Sequence, residues 1–157
     1  MIWKEIDIKY REFSSHDELD SSDRELVDSA VAALNGSYAP YSHFNVGAAV
    51  RLADGTIVRG SNQENAAYPS GICAERSAMF AAGSQYPGLR MLSIAVAASQ
   101  DGVLCESPAS PCGACRQVMA QYQTQYGQPM SILLVGKDLV WKFDRVDDIL
   151  PLIFDKI

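Results

Sequence analysis

The chain has 157 residues, 48% of them hydrophobic and 20% charged, which is the size and balance of one globular domain with a sizeable core. Its net charge is −6, with no run of Lys or Arg, whereas a polynucleotide binder needs a basic surface to neutralise phosphates. No apolar run is long enough to cross a bilayer, so neither nucleic acid nor membrane is expected as a partner.

The N-terminal "MIWKEIDIKYREF" lacks the apolar core and the small-residue cleavage site of a signal peptide. A cytoplasmic location follows as the expectation, with thiols kept reduced. Ile6, Ile8 and Tyr10 alternate and predict a short strand. A polar stretch, "SSHDELDSSD", separates it from a helix. Ser22 and Glu25 have capping-box spacing there; Val27, Ala30, Val31 and Leu34 repeat on one face, and Asn35-Gly36 ends the run. "VGAAVRL" and "TIVRGS" flank Ala53-Asp54-Gly55 and predict a hairpin. "CAERSAMFAAG" reads as a helix with Gly83 near its end, and "MLSIAVAAS" as a buried strand. From Cys112 a helix runs through Cys115, Val118, Met119 and Tyr122. "MSILLVG" and "LVWKF" read as strands, and "VDDILPLIF" as a short helix stopped by Pro151. A hairpin followed by alternating helices and strands predicts an α/β layer fold with a mixed sheet. Residues 1–157 read as one domain without internal repeats, with 1–20 as an N-terminal extension.

Cys112 and Cys115 stand at i and i+3, so both thiols lie on one helix face. Pro111 falls just before them, close to the first turn, where its missing N–H costs nothing. Cys73 is also at a helix start, and the positive end of a helix favours thiolate, the metal-binding form. Three thiolates make three ligands of a tetrahedral zinc, with the fourth position for water in a catalytic site or for another residue in a structural one. Cys105 is the remaining cysteine and the candidate fourth ligand; His16 and His43 have no ligand-like spacing.

Each feature alone has an ordinary explanation. Cys-Gly-Ala-Cys resembles a redox pair, Glu75 a helix-dipole partner, Arg76 a solvated side chain, and Cys73 a small buried hydrophobe. Phe44, Tyr68 and Phe154 read as core. Together, Cys-Ala-Glu and Pro-Cys-x-x-Cys match the zinc-deaminase signature in its all-cysteine form.

The stretches "YAPYSHFNVGAAV", "GSNQENAAYPSGICAERSAMF" and "SPCGACRQV", with a weaker "ILPLIF", resemble the small homotetrameric cytidine deaminases whose zinc is held by three cysteines. The resemblance runs from about Tyr38 to the end. It implies a three-layer fold, a mixed five-stranded sheet flanked by helices, and one zinc per subunit. Cys73, Cys112 and Cys115 match the metal ligands, and Glu75 the acid that shuttles protons. Asn62 and Glu64 match the pair that holds the ribose, Phe44 an aromatic lining the nucleoside pocket, and Ala74 a backbone N–H facing the reacting oxygen. Arg76 matches a donor to the zinc thiolates, and Phe154 an aromatic packed on the base from another subunit. The implied activity is hydrolysis of cytidine or deoxycytidine to uridine or deoxyuridine and ammonia, with zinc-activated water. The alternatives are another aminopyrimidine nucleoside such as blasticidin S, a thiol–disulfide oxidoreductase using Cys112 and Cys115, and a zinc-stabilised structural module. The acidic segment before Ser21 and the long loop between Gly83 and Pro111 depart from the family pattern.

Overall fold

The apolar runs assemble into a single mixed sheet. A computed structural model describes residues 1–155. In chain order the elements are β1 (Arg11–Phe13), α1 (Ser21–Ala33), β2 (Phe44–Leu52), β3 (Ile57–Ser61), α2 (Ala74–Gln85), β4 (Met91–Gln100), β5 (Val103–Leu104), α3 (Gly113–Tyr126), β6 (Ser131–Val135) and β7 (Val140–Phe143). Short 3-10 turns occur at His16–Glu18, Leu34–Gly36, Tyr68–Ser70 and Val146–Asp148.

The sheet order is β1-β7-β6-β4-β2-β3, with β5 added against the end of β4. β2 pairs antiparallel with both β3 and β4, β4 pairs parallel with β6, and β7 is antiparallel to β6 and β1. The sheet therefore has seven strands rather than five. The expected five are all present, and the additions are the two short strands β1 and β5.

The central strands are continuous apolar runs because both faces are covered. On one face Leu26, Val27 and Ala30 of α1 pack on Ala49, Ala95 and Leu133. On the other, Ala78, Met79 and Met119 of α2 and α3 pack on Val50, Ile94, Val96 and Ile132. This is the three-layer arrangement. Two glycines set its thickness. A Cβ on Gly47 would stand 2.3 Å from the Ala30 carbonyl oxygen in α1, and one on Gly60 would stand 2.3 Å from the Ala78 amide nitrogen in α2. Only bare backbone lets each helix come that close.

Several expectations need correction. The front strand covers Arg11–Phe13, not "IDIKY"; residues 1–10 have no regular structure and are exposed. Their alternation is real, but β7 ends at Phe143, and among the described residues no further strand lies beside them. The cap of α1 is not Ser22 with Glu25. Asp20 caps it, its carboxylate accepting from the Asp23 N–H at 2.8 Å, an anion at the positive end of the helix. Pro111 does stand just before Cys112, as expected, with Cys112 as the N-cap of α3. "VDDILPLIF" forms one 3-10 turn and no longer helix, because α3 claims its backbone groups. The Gln123 side-chain oxygen accepts from the Val146 N–H at 2.9 Å, and Arg116 Nη1 donates to the Ile149 carbonyl at 2.8 Å. Among the described residues, no helix is long and apolar enough to cross a membrane.

Candidate active site

The topology brings two helix starts together. β2 lies antiparallel between β3 and β4, so β3 and β4 run the same way, and β6 runs with them. Helices α2 and α3 each carry the chain back from the end of one parallel strand to the start of the next. Both therefore begin at the carboxyl-end side of the sheet, the usual place for a ligand crevice in α/β folds.

Each helix opens with a cysteine as its N-cap, Cys73 for α2 and Cys112 for α3, and neither side chain caps its own helix. The sulfurs face each other instead. Cys73 Sγ and Cys112 Sγ are 3.9 Å apart, and with Cys115 Sγ all three lie within 4.8 Å of one another. A tetrahedral zinc with Zn–S bonds of ≈ 2.3 Å requires sulfurs about 3.8 Å apart. The three cysteines fit zinc with little adjustment.

The groups around the sulfurs favour thiolate at Cys73. Arg76 Nη2 donates to Cys73 Sγ at 3.7 Å. The Cys115 thiol, the Arg76 guanidinium and Cys112 together hold the Cys73 thiol down, to about 5, against the effect of its burial. Cys115 is pushed up, first by the neighbouring Cys73 sulfur and then by burial. Cys105 does not join the cluster: its N–H bonds the Ala98 carbonyl at 3.0 Å, and its own carbonyl accepts from the Lys137 N–H at 2.9 Å.

Glu75, the second residue of α2, is only 4% exposed. Burial pushes its carboxyl above the usual range. It lines a cavity of about 600 Å³ with Cys73, Cys112, Phe44, Asn62 and Glu64. Ala74 sits between Cys73 and Glu75 as the first residue of α2, fully buried. Its N–H is one of those a helix start leaves without an intrahelical partner.

Asn62 and Glu64 share the cavity wall just beyond β3, although the regular strand ends at Ser61. Backbone bonds between Gln63 and Ile72 keep the segment extended. Both side chains already have partners. Asn62 Oδ1 accepts from the Val46 N–H at 2.8 Å and from Ser37 Oγ at 2.5 Å, and its Nδ2 donates to the Phe44 carbonyl at 2.9 Å. Glu64 Oε2 accepts from the N–H groups of Tyr41 and Ser42 at 2.9 and 3.3 Å, and Oε1 accepts from the Ser42 hydroxyl. The Ser42 hydroxyl and the Tyr41 N–H hold the Glu64 carboxyl below its usual value. Counting donors and lone pairs, one N–H of Asn62 and one acceptor position of Glu64 remain.

Ser37, Tyr41 and Ser42 are the positioning residues that sequence reading did not single out; two hydroxyls and two backbone N–H groups in loops carry no spacing signal. Tyr68 is not core: it is exposed, and its ring centroid lies 6.5 Å from that of Tyr41 beside the cavity. Phe154 is not core either. It is exposed, away from the cavity of its own chain, and its carbonyl accepts from Gln117 Nε2 of α3 at 2.7 Å.

Residues 20–126 match the family model for the cytidine and deoxycytidylate deaminase zinc-binding region. The cytidine deaminase of Halalkalibacterium halodurans is 48% identical over 97 residues, 61% of this chain and 68% of that one. That of Mycobacterium tuberculosis is 40% identical over 97 residues, 62% of this chain and 68% of that one. Among solved structures, the cytidine deaminase from Burkholderia pseudomallei matches with a TM-score of 0.69 at 40% identity, covering 83% of this chain and 97% of that one. The crystal structure of the Mycobacterium tuberculosis cytidine deaminase gives a TM-score of 0.67 at 33% identity, covering 87% of this chain and all of that one.

Proposed function

The chain belongs to the cytidine and deoxycytidylate deaminase family, and from that premise we propose that it hydrolyses cytidine or deoxycytidine to uridine or deoxyuridine and ammonia. The observation that carries the reading is the meeting of three cysteine sulfurs, two of them on a cavity wall beside a buried glutamate. Zinc held by Cys73, Cys112 and Cys115 supplies the Lewis acidity that activates water near neutral pH.

Glu75 moves the protons. Its carboxylate takes the proton of the attacking water and delivers it to the ring nitrogen beside the amino-bearing carbon, which makes that carbon electrophilic. The oxygen of the water bonds to the carbon. Glu75 then carries a second proton from that oxygen to the amino group, the carbon–nitrogen bond breaks, and ammonia leaves. One carboxyl serves as base and acid, and burial, by raising it, brings it closer to neutrality where both roles are open. Ala74 offers its backbone N–H to the reacting oxygen. Arg76 and the two helix starts draw negative charge from the three thiolates, which would otherwise weaken the metal as a Lewis acid.

Asn62 and Glu64 grip the sugar, and Phe44 packs beside the nucleoside. The one N–H and the one acceptor position left on the pair suit a single hydroxyl, which accepts from one and donates to the other. The substrate is thus a free nucleoside. Residues 1–157 are one deaminase domain, with 1–20 as its N-terminal extension. The assembly is a homotetramer in which Phe154 reaches the base bound by a neighbour. A reducing, cytoplasmic setting suits thiols that must stay unpaired.

The test compares cytidine with free cytosine on zinc-loaded protein, following ultraviolet absorbance. A site built to pair a sugar hydroxyl rejects a ligand lacking it by about 10⁴-fold in kcat/KM. Equal rates on the two would overturn the sugar grip; no turnover of any cytosine derivative, with zinc bound, would overturn the deaminase reading.

A further inference from the structure

Among the described residues β1 is an edge strand of the sheet, paired on one side by β7. The chain that leads into it is exposed over all of residues 1–10. Ile6, Ile8 and Tyr10 are 58%, 56% and 50% exposed, so these apolar side chains are largely uncovered. Tyr10 fixes the base of this arm. Its ring lies 5.4 Å from that of Trp141 and stacks on Phe143 at 5.2 Å. The arm therefore leaves the sheet from a defined point, as an unpaired continuation of an edge strand. Such an edge is a template for pairing with another chain.

The order of the side chains says which chain. In an extended segment successive residues alternate between faces. One face of the arm carries Ile6, Ile8 and Tyr10; the other carries Glu5, Asp7, Lys9 and Arg11, two acids followed by two bases. That order is self-complementary when the strand is reversed on itself. We propose that residues 5–11 pair antiparallel with the same residues of a second copy of this chain, about a two-fold axis through Ile8.

In that register Asp7 faces Lys9, Glu5 faces Arg11, Ile6 faces Tyr10, and Ile8 faces its own symmetry mate. Every charged residue of the segment meets an opposite charge, and the apolar face stays apolar throughout. Moving the axis one residue sets Asp7 against Asp7 or Lys9 against Lys9, and like charges directly opposite disfavour a pairing. Arg11 already meets Asp144 of its own chain, so Asp7 and Lys9 carry most of the register choice. Ile6 of the second copy lands on Tyr10 and extends the aromatic cluster of Tyr10, Trp141 and Phe143. The contact is isologous, so it closes after two chains. The arm lies outside the family match, which begins at residue 20, and the pairing does not rest on the deaminase reading.

The experiment is cysteine cross-linking of the full-length chain. Residues directly opposite in an antiparallel pair have Cα atoms about 4.5–5.5 Å apart, within disulfide range. After mild oxidation, Ile8→Cys protein is expected to run at twice the chain mass on a non-reducing denaturing gel, while the wild type, with its own cysteines, stays at one. Adding Asp7→Lys to Ile8→Cys is expected to cut the linked fraction several-fold, and adding Lys9→Asp as well to restore it. A linked fraction no greater than that of the wild type overturns the pairing. So does one that ignores the single charge reversal, because arms that merely collide have no register.

Discussion

Glu75 stands two residues past one candidate metal ligand, buried where a carboxylate is costly unless it has a task. The substitution Glu75→Gln keeps its size and removes only its proton chemistry. It is expected to leave one zinc per chain and the melting behaviour unchanged while kcat for cytidine falls by about 10⁴-fold. Metal analysis and a cytidine absorbance assay check both halves; near-normal turnover would make Glu75 a helix-dipole residue only. Cys105→Ser probes the opposite point. Cys105 lies outside the sulfur cluster, so that variant is expected to keep both zinc and turnover, and loss of zinc would favour the structural-module alternative. These residues were legible in the sequence because their chemistry is local: Cys-x-Glu and Cys-x-x-Cys each fit within one helical turn. The backbone N–H groups that grip Glu64 were not, since Tyr41 and Ser42 lie more than twenty residues away and act mainly through atoms every residue has.

Among the elements, α2 matters most, because it carries Cys73, Ala74, Glu75 and Arg76 on one rigid start. Its seat is Gly60. A Cβ there would stand 2.3 Å from the Ala78 amide nitrogen and 2.7 Å from the Ala74 carbonyl oxygen, and helix backbone cannot swing aside as a side chain can. Gly60→Ala is expected to lift α2 from β3, costing about 1–3 kcal/mol by overpacking, and to weaken zinc binding by pulling Cys73 away from Cys112 and Cys115. Gly47→Ala is the matched control. Its Cβ would meet the Ala30 carbonyl oxygen of α1 on the opposite face at the same 2.3 Å, so it should destabilise similarly and leave zinc affinity intact. Urea melts and zinc competition titrations separate the two; equal losses of zinc affinity would show that α2 is not the lever. Periodicity made the hairpin, the central strands and all three helices readable. It misread the two ends, where pairing with another element decides the outcome. "IDIKY" has a strand pattern without a strand beside it, and "VDDILPLIF" has a helix pattern whose amides are held by Gln123.

At the scale of the whole molecule, the site exists because β2 inserts antiparallel between β3 and β4 and leaves two crossovers running the same way. No local pattern encodes that insertion; it follows from which strands pair once helices cover both faces. One chain alone leaves large apolar side chains in water. Tyr68 borders the cavity, Phe80 projects from α2, and Leu152 and Phe154 lie on the C-terminal segment that Gln117 of α3 holds. Where such exposed apolar side chains are contiguous, they mark an interaction surface. Its chemistry fits neighbouring copies that close each other's cavities. The resemblance to homotetrameric cytidine deaminases makes four chain masses the expected result of light scattering at assay concentrations. Phe154→Ala is expected to lower kcat/KM for cytidine while zinc content stays at one per chain, because the missing ring contacts the base and not the metal. An alanine variant that loses zinc would place Phe154 in the fold of its own chain. An active monomer with unchanged kcat/KM in the variant would show that each cavity works without a neighbour.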